Sequence, residues 1–383
     1  MSRSVDIVVV GAGPAGLAGA LHLKGLGHDV LLVAPAAGPT DERTSALLGG
    51  SVQLLERIGA WQAASVESAP LRSLRIADGT KRLFRAPEVI FHADEIGLDA
   101  FGHNLPNRAL VAALEAVAAG TALARLTGSA ASLAVSPDRV TLRLAGGEEV
   151  VARLVVAADG RNSLVRNQSG ITTREWRYDQ SALVLNFRHA RPHDETSTEF
   201  HTEHGPFTIV PLPGERSSLV WVDRPEETTR RLGLDDAALA GEVEARSASI
   251  LGRVTIDGRR QAFPLSGMTP NRFVAERVAL IGEAAHVFPP IGAQGLNLGY
   301  RDVTALGEVL AGASDPGSAA LLAAYERARR GDVFLRTTAV DALNRTLLNG
   351  FLPVQAMRGL GLFLLDRVPP LRRAVMRQGV AAS

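Results

Sequence analysis

Six residues near the N-terminus, Gly11-Ala-Gly13-Pro14-Ala15-Gly16, have the spacing of a phosphate cradle. In such a run the first glycine permits a tight turn, the second lets backbone approach a pyrophosphate, and the third packs a helix against a strand. The N–H groups at the helix start then present partial positive charge to the phosphates. The spacing alone is a weak signal. An apolar strand before it and a helix after it make it a strong one for a dinucleotide, without choosing FAD over NAD. Both flanks are here. Ile7-Val-Val-Val10 precedes it; Leu17, Ala20, Leu21 and Leu23 give the following helix a buried stripe; and Gly27 stands where that helix would end. One part of the pattern is missing. The carboxylate expected about 20 residues on, for the adenosine ribose, is absent from the end of the second strand. That strand ends in Ala34, and the nearest acids are Asp41 and Glu42.

Two later segments have related forms. At 155–166 an apolar strand ends in Asp159-Gly160 and a short helix follows. An aspartate there can cap the helix, or accept a ribose or ribityl hydroxyl, and both readings stay open. At 277–297 a buried strand ends in Gly282-Glu283. A loop with His286, Pro289, Pro290, Gly292, Ala293, Gln294 and Gly295 then leads into a helix at Leu296 and Asn297. A helix N-terminus aimed at a flavin would stabilise negative charge at N1 and the C2 carbonyl as the ring is reduced. An ordinary strand–loop–helix crossover is the plainer alternative. Together the three segments suit the parts of FAD.

The elements that must position these residues follow from the rest of the chain. Its 383 residues allow roughly two domains of ~150 each, and 46% apolar with 21% charged residues suits a globular protein with a sizeable core. A net charge of +1 argues against nucleic acid as a partner. With no cysteine, disulfides, thiolate chemistry and Cys-based zinc or iron–sulfur sites are excluded, and no metal site is expected. The N-terminal apolar run is too short for a secretory signal, and no stretch reaches the ~18 apolar residues of a membrane span. A cytoplasmic location fits. Residues 5–34 read as strand–helix–strand, 107–119 as a helix, and 121–157 as short strands with Gly and Pro-Asp turns. Four β-like runs between 181 and 223 suggest an antiparallel sheet, and a long helix is expected from about Leu296. The expected fold class is α/β with an α+β insert. A discontinuous Rossmann-like FAD-binding domain (1–70, 101–175, 266–345) is interrupted by substrate-domain strands (71–100) and a mainly antiparallel substrate-binding sheet (176–265). A C-terminal helical segment (346–383) follows.

At the three segments the chain resembles the flavin-dependent aromatic hydroxylases of the p-hydroxybenzoate hydroxylase fold, and within them the UbiH/UbiF family of ubiquinone biosynthesis. The likeness spans nearly the whole chain. It includes His286, Pro290, the run Gln294-Gly295-Leu296-Asn297-Leu298-Gly299, and Asp302. Asp41-Glu-Arg43-Thr-Ser-Ala46-Leu47 is similar to the family's Arg-containing flavin-contact segment, and Asn107-Arg108-Ala-Leu110 to the start of its next cofactor-facing helix. Three positions depart from the family pattern: Glu283 stands where most members carry Asp, Gly292-Ala293 inverts the small pair before Gln294, and Ala34 replaces the ribose acid.

The resemblance implies that Arg43 and Asn107 join the motif residues in holding FAD, with Pro290 and Gln294 on the loop nearest the reacting atoms. It implies an NAD(P)H-reduced flavin, O2 addition to a C4a-hydroperoxide, and attack on the ring of a prenylated phenol. The protein must orient that ring and exclude water, work that suits the sheet at 181–223. No general base follows. His201 and His204 qualify by residue type alone, and each is more readily a surface or core histidine. From Phe351 onward apolar side chains carry an arginine fringe, with six arginines and one aspartate between 345 and 378. Such a segment suits an interface with the inner face of a membrane or a ubiquinone-biosynthesis complex through 351–383. A docked terminal helix with a basic rim is the equal alternative. Other functions compatible with the motifs are hydroxylation of a soluble aromatic, prenyl-chain reduction, and a non-catalytic flavoprotein in a biosynthetic complex.

Overall fold

The strand Arg3–Val10 is buried from Ile7 onward because parallel neighbours flank it, Glu149–Ala157 on one side and Val30–Ala34 on the other. A strand covered on both faces reads as a continuous apolar run, as this one does. The computed structural model describes residues 3–36, 38, 41–80, 87–289, 294–348 and 367–380. In it the first sheet runs in the order Val274–Ala275, Val278–Leu280, Glu149–Ala157, Arg3–Val10, Val30–Ala34 and Ala124–Thr127. The last five are mutually parallel. Ala130–Val135 and Val140–Leu144 fold back on Glu149–Ala157 as an antiparallel flap. Helices Pro14–Gly25, Asn107–Gly120 and Gln294–Leu310 join this sheet in one large apolar core.

A second sheet has seven strands, in the order Val254–Pro270, Thr173–His189, Arg216–Asp223, Gly205–Leu212, Thr196–Thr202, Ser73–Asp78 and Val89–His92. Its pairs are antiparallel except that between Thr196–Thr202 and Ser73–Asp78. The four runs expected at 181–223 are all strands here. Two strands of 17 residues each, Thr173–His189 and Val254–Pro270, form its backbone. Polar Asp257-Gly258-Arg-Arg260 reads as a turn in isolation. It stays in the strand because Thr173–His189 supplies a continuous partner, with register shifts absorbing the mismatch.

Side chains alternate between the two faces of this sheet. One face sends Leu183, Phe187, Phe207, Leu219 and Trp221 against Leu239 and Val243 of the helix Asp236–Arg246. The other carries Ala182, Val222 and Leu265, with Val184 and Val220 beside them. That second face turns toward the dinucleotide half. Thr44 Oγ1 donates to Ser218 Oγ at 2.9 Å, Asn104 Nδ2 donates to the Pro211 carbonyl at 2.8 Å, and Met268 and Val287 exchange backbone hydrogen bonds of 2.9 Å each.

Of the C-terminal segment, 349–366 and 381–383 lie outside the described residues. The helix Pro369–Val380 docks on the far edge of the second sheet. Met376 is buried with Val89, Phe91 and Phe101, and Arg372 binds Glu95 and lies 4.7 Å over the Phe91 ring. Val368, Leu371 and Val375 remain exposed. Among the described residues no helix is long and apolar enough to cross a membrane.

Candidate functional site

The three motifs, separated by more than 100 residues in sequence, meet at the carboxyl ends of adjacent parallel strands. Ala158 N–H bonds the Val10 carbonyl at 2.8 Å, and Ile281 N–H bonds the Ala157 carbonyl at 2.9 Å. Gly11, Asp159 and Gly282 each follow one of these strand ends. In open α/β sheets this crevice is where ligands bind.

The glycine motif is built so that side chains are impossible in two places. A Cβ at Gly11, where φ is +114°, would lie 2.2 Å from the Ala158 carbonyl oxygen; one at Gly16 would lie 1.9 Å from that of Gly11. At Gly13 the same construction meets nothing within 4 Å. The helix Pro14–Gly25 begins beside that open space. It has proline at its start, no side-chain cap, and no acidic residue in its first turn. Its first N–H groups, at Ala15 and Gly16, precede the first intrahelical bond, from Leu17 to the Gly13 carbonyl. Uncapped donors facing an open groove fit an anionic pyrophosphate.

Asp159 fits both readings left open for it. Its Oδ2 accepts from the N–H groups of Leu164 (2.8 Å) and Val165 (3.3 Å), capping the short helix, while its Oδ1 is buried without a hydrogen bond. A buried carboxylate oxygen of this kind costs free energy unless a donor reaches it, and a ribose or ribityl hydroxyl is such a donor. Gly160, at φ +81°, opens the backbone beside it. The following residues tie this turn to its surroundings. Arg161 Nη1 donates to Ser266 Oγ at 2.6 Å, and buried Arg166 donates to the Ala284 carbonyl at 3.1 Å.

At the third motif Gly282 turns at φ +62° and delivers Glu283 to solvent. The corner is held from beneath by Asp302, which is fully buried. Its Oδ2 accepts from Gly282 N–H (2.9 Å) and from His286 Nε2 (2.7 Å), and its Oδ1 accepts from Arg329 Nε (2.7 Å). Burial pushes the Asp302 carboxyl up, but the charges of His286 and Arg329 outweigh it and hold it below the ordinary range. Tyr325, one turn before Arg329, donates to the Leu280 carbonyl at 2.7 Å. Arg329 and Tyr325 lie on the helix Ala319–Leu348 and were not singled out in the sequence. Their spacing of four is the available signal, and it has no meaning until Asp302 is known to be buried beneath them.

Other expected contacts lie elsewhere or are already engaged. Arg43 is engaged within the chain. Its guanidinium makes two 2.8 Å bonds to Asp41, lies 5.1 Å over the Phe263 ring, and feels the charge of Glu283. It belongs to the end of the cleft nearest the second sheet. The Asn107 amide donates to Asp41 and accepts from Ser45 Oγ. Asn297 donates to the Ala46 carbonyl and accepts from Leu48 N–H and Ser51 Oγ, so its side chain pins the segment after Arg43 to the third motif. Gly295 and Leu296 open the helix Gln294–Leu310. Pro290, Gly292 and Ala293 lie outside the described residues, as does the Gln294 side chain. His201 is buried on the second sheet, its Nε2 2.8 Å from Glu199 Oε1. His204 lies in the turn after it, where its carbonyl accepts from Gln180.

Comparison with known proteins agrees with this geometry. A family model described as FAD binding domain matches residues 4–335. Ubiquinone hydroxylase UbiL of Rhodospirillum rubrum is 37% identical over 99% of this chain and 90% of its own length. The 3-demethoxyubiquinol 3-hydroxylase of Escherichia coli is 34% identical over 98% of each. Among solved structures, p-nitrophenol 4-monooxygenase of Pseudomonas putida superposes with a TM-score of 0.79 at 18% identity, over 98% of both chains. HpxO of Klebsiella pneumoniae, solved with FAD and uric acid, superposes at 0.76 and 18% identity, over 98% of this chain and 96% of that one. At those identities the two structures share the fold. The crevice, the uncapped helix and the buried Asp159 oxygen suit FAD, and the sequence relatives carry the rest: the chain belongs to the FAD-dependent hydroxylase family of ubiquinone biosynthesis.

Proposed function

We propose that this chain hydroxylates the aromatic ring of a prenylated phenol on the ubiquinone route, using NAD(P)H and O2. The observation that carries the reading is the convergence of three cofactor motifs at adjacent strand ends, with the sheet face of Ala182, Val184, Val220 and Val222 joined to that half through Ser218. Bound FAD would supply electron transfer from NAD(P)H and the activation of O2.

The protein's own residues have separate tasks. Backbone at Gly13, Ala15 and Gly16 binds the pyrophosphate, and Asp159 Oδ1 and Glu283 take hydroxyls of the sugar chain. Asp302 fixes the corner at Gly282. The family resemblance assigns Pro290, Gly292, Ala293 and Gln294, with Gly295 and Leu296 after them, to the group that would hold the flavin ring. The valine face excludes water and accepts apolar substituents, a condition for confining a reactive oxygen species to its substrate. The arginine-fringed segment 351–383 is proposed to meet an anionic membrane surface, where a prenylated substrate would reside. The exposed Val368, Leu371 and Val375 support that part.

Anaerobic mixing of the purified protein with NADH and NADPH tests the central claim. Flavin absorbance should bleach with one or both, faster when a prenylated phenol is present. A protein that takes up no FAD sinks the proposal. Liposome flotation with and without residues 351–383 tests the membrane part, and equal recovery with lipid removes it.

A further inference from the structure

We infer that His201, oriented by Glu199, is the general base that takes the phenolic proton of the substrate. The inference rests on the phenol reading above and adds the proton acceptor it lacks.

The argument begins with which way the two side chains point. Glu199 pairs with Thr208, Thr208 with Val220, and Val220 with Val184. Directly paired residues share a face of a sheet, so this row lies on the valine face. His201 is two residues beyond Glu199 on the same strand and shares that face. Between them Phe200 points the other way, into the cluster with Phe207. The same face carries Ala182, which pairs with both Val222 and Phe263, and Phe263 lies beneath the Arg43 guanidinium. The histidine and carboxylate therefore stand on the wall that looks toward the crevice. From Glu199 to Val184 is three strand spacings, about 14 Å. On that wall a phenol would place its hydroxyl at His201 and its apolar substituent along the valines.

Their mutual geometry fixes the tautomer. Glu199 Oε1 is 2.8 Å from His201 Nε2, and Oε2 accepts from Thr208 Oγ1 at 3.3 Å. Burial pushes the Glu199 carboxyl up, but the hydrogen bond and charge of His201 outweigh this and hold it below its ordinary value. An ionised carboxylate only accepts, so Nε2 donates to Glu199, and in the neutral ring Nδ1 is the accepting nitrogen. Nδ1 makes no hydrogen bond among the described residues. Asp78, register partner of His201 on the adjacent strand, is the other carboxylate beside it.

The step balances within this pair and the substrate. The phenolic O–H bond breaks, its electrons stay on oxygen, and an Nδ1–H bond forms. The imidazolium is then paired with Glu199, and the phenolate is richer in electrons at its ortho and para carbons, where an electrophilic oxygen attacks. His201 releases the proton to solvent before the next turnover. A paired base of this kind contributes about 10²–10⁴-fold in rate. Glu199 touches no substrate and is a positioning residue.

The test uses the FAD-loaded full chain and para-nitrophenol, whose ionised form alone is coloured. Bound to the wild type, the probe should ionise about 1–3 pH units below its free value, because an imidazolium is left beside the phenolate. His201→Gln should abolish the shift, and Glu199→Gln should reduce it, both with unchanged flavin content. Turnover of a prenylated phenol should fall at least about 10²-fold in His201→Gly and recover with added imidazole. Wild-type protein that leaves the bound probe un-ionised, or His201→Gln with the wild-type shift, overturns the assignment. Ionisation of the probe without hydroxylation of any prenylated phenol supports the dyad and counts against the proposed substrate instead.

Discussion

The two ends of the cofactor crevice are held by opposite means. At the phosphate end the chain excludes side chains. Gly11 and Gly16 sit where a Cβ would press into backbone, and the groove is shaped by main chain alone. At the Glu283 end the corner is propped by charge. The side chains of Asp302, His286 and Arg329 lie within 1% of full burial, and the Asp302 carboxylate bonds both partners and Gly282 N–H. A backbone site tolerates no added atom but needs no partner. A charged prop tolerates changes in size poorly and loss of a partner worse, because the remaining charge is left buried and unpaired.

Predictions that break this contrast run from the prop to the groove. Asp302→Ala should cost about 3–5 kcal/mol of stability, read as a lower urea midpoint, and should loosen flavin as the Gly282 corner is freed. A wild-type midpoint in that variant would deny the prop its role. The same group predicts a pH dependence. The folded Asp302 carboxyl lies below its unfolded value, so its contribution is complete above about pH 4 and is lost as pH falls through the folded value. Asp302→Asn should therefore lose less stability than the wild type as pH falls below about 4. Gly16→Ala should cost roughly 1–3 kcal/mol, since the atom it meets is a carbonyl oxygen that cannot swing away. Gly13→Ala should change apo stability by less than about 1 kcal/mol, because its Cβ enters open space. It should nonetheless lower flavin affinity, measured by fluorescence titration of the apoprotein. Equal flavin affinity in wild type and Gly13→Ala would mean that the pyrophosphate does not approach there.

This contrast also explains what the sequence disclosed. The phosphate end was legible because its requirement is local: three glycines at fixed offsets, with a strand before and a helix after. The strand-end acids at 159 and 283 were legible for the same reason. Asp302 and His286 belonged to a recognisable run, but their partner Arg329 comes from a helix 27 residues later, and only burial makes it matter. The surroundings of Arg43 were not legible. Asp41, two residues away, and Phe263, from another sheet, claim its side chain. The dyad was hidden differently. Glu199 and His201 alternate with Phe200 in plain view, but which face of the strand meets the crevice is decided by the helix Asp236–Arg246 covering the other one.

The reciprocal hydrogen bonds between Met268 and Val287 join the second sheet to the loop that follows Glu283. Main chain makes this joint, so it is blind to side-chain identity. A substitution at either position leaves the N–H and carbonyl of the joint in place. Only proline, which lacks the N–H, would sever it. The side chains at Met268 and Val287 can thus change without moving the two halves that their main chains join.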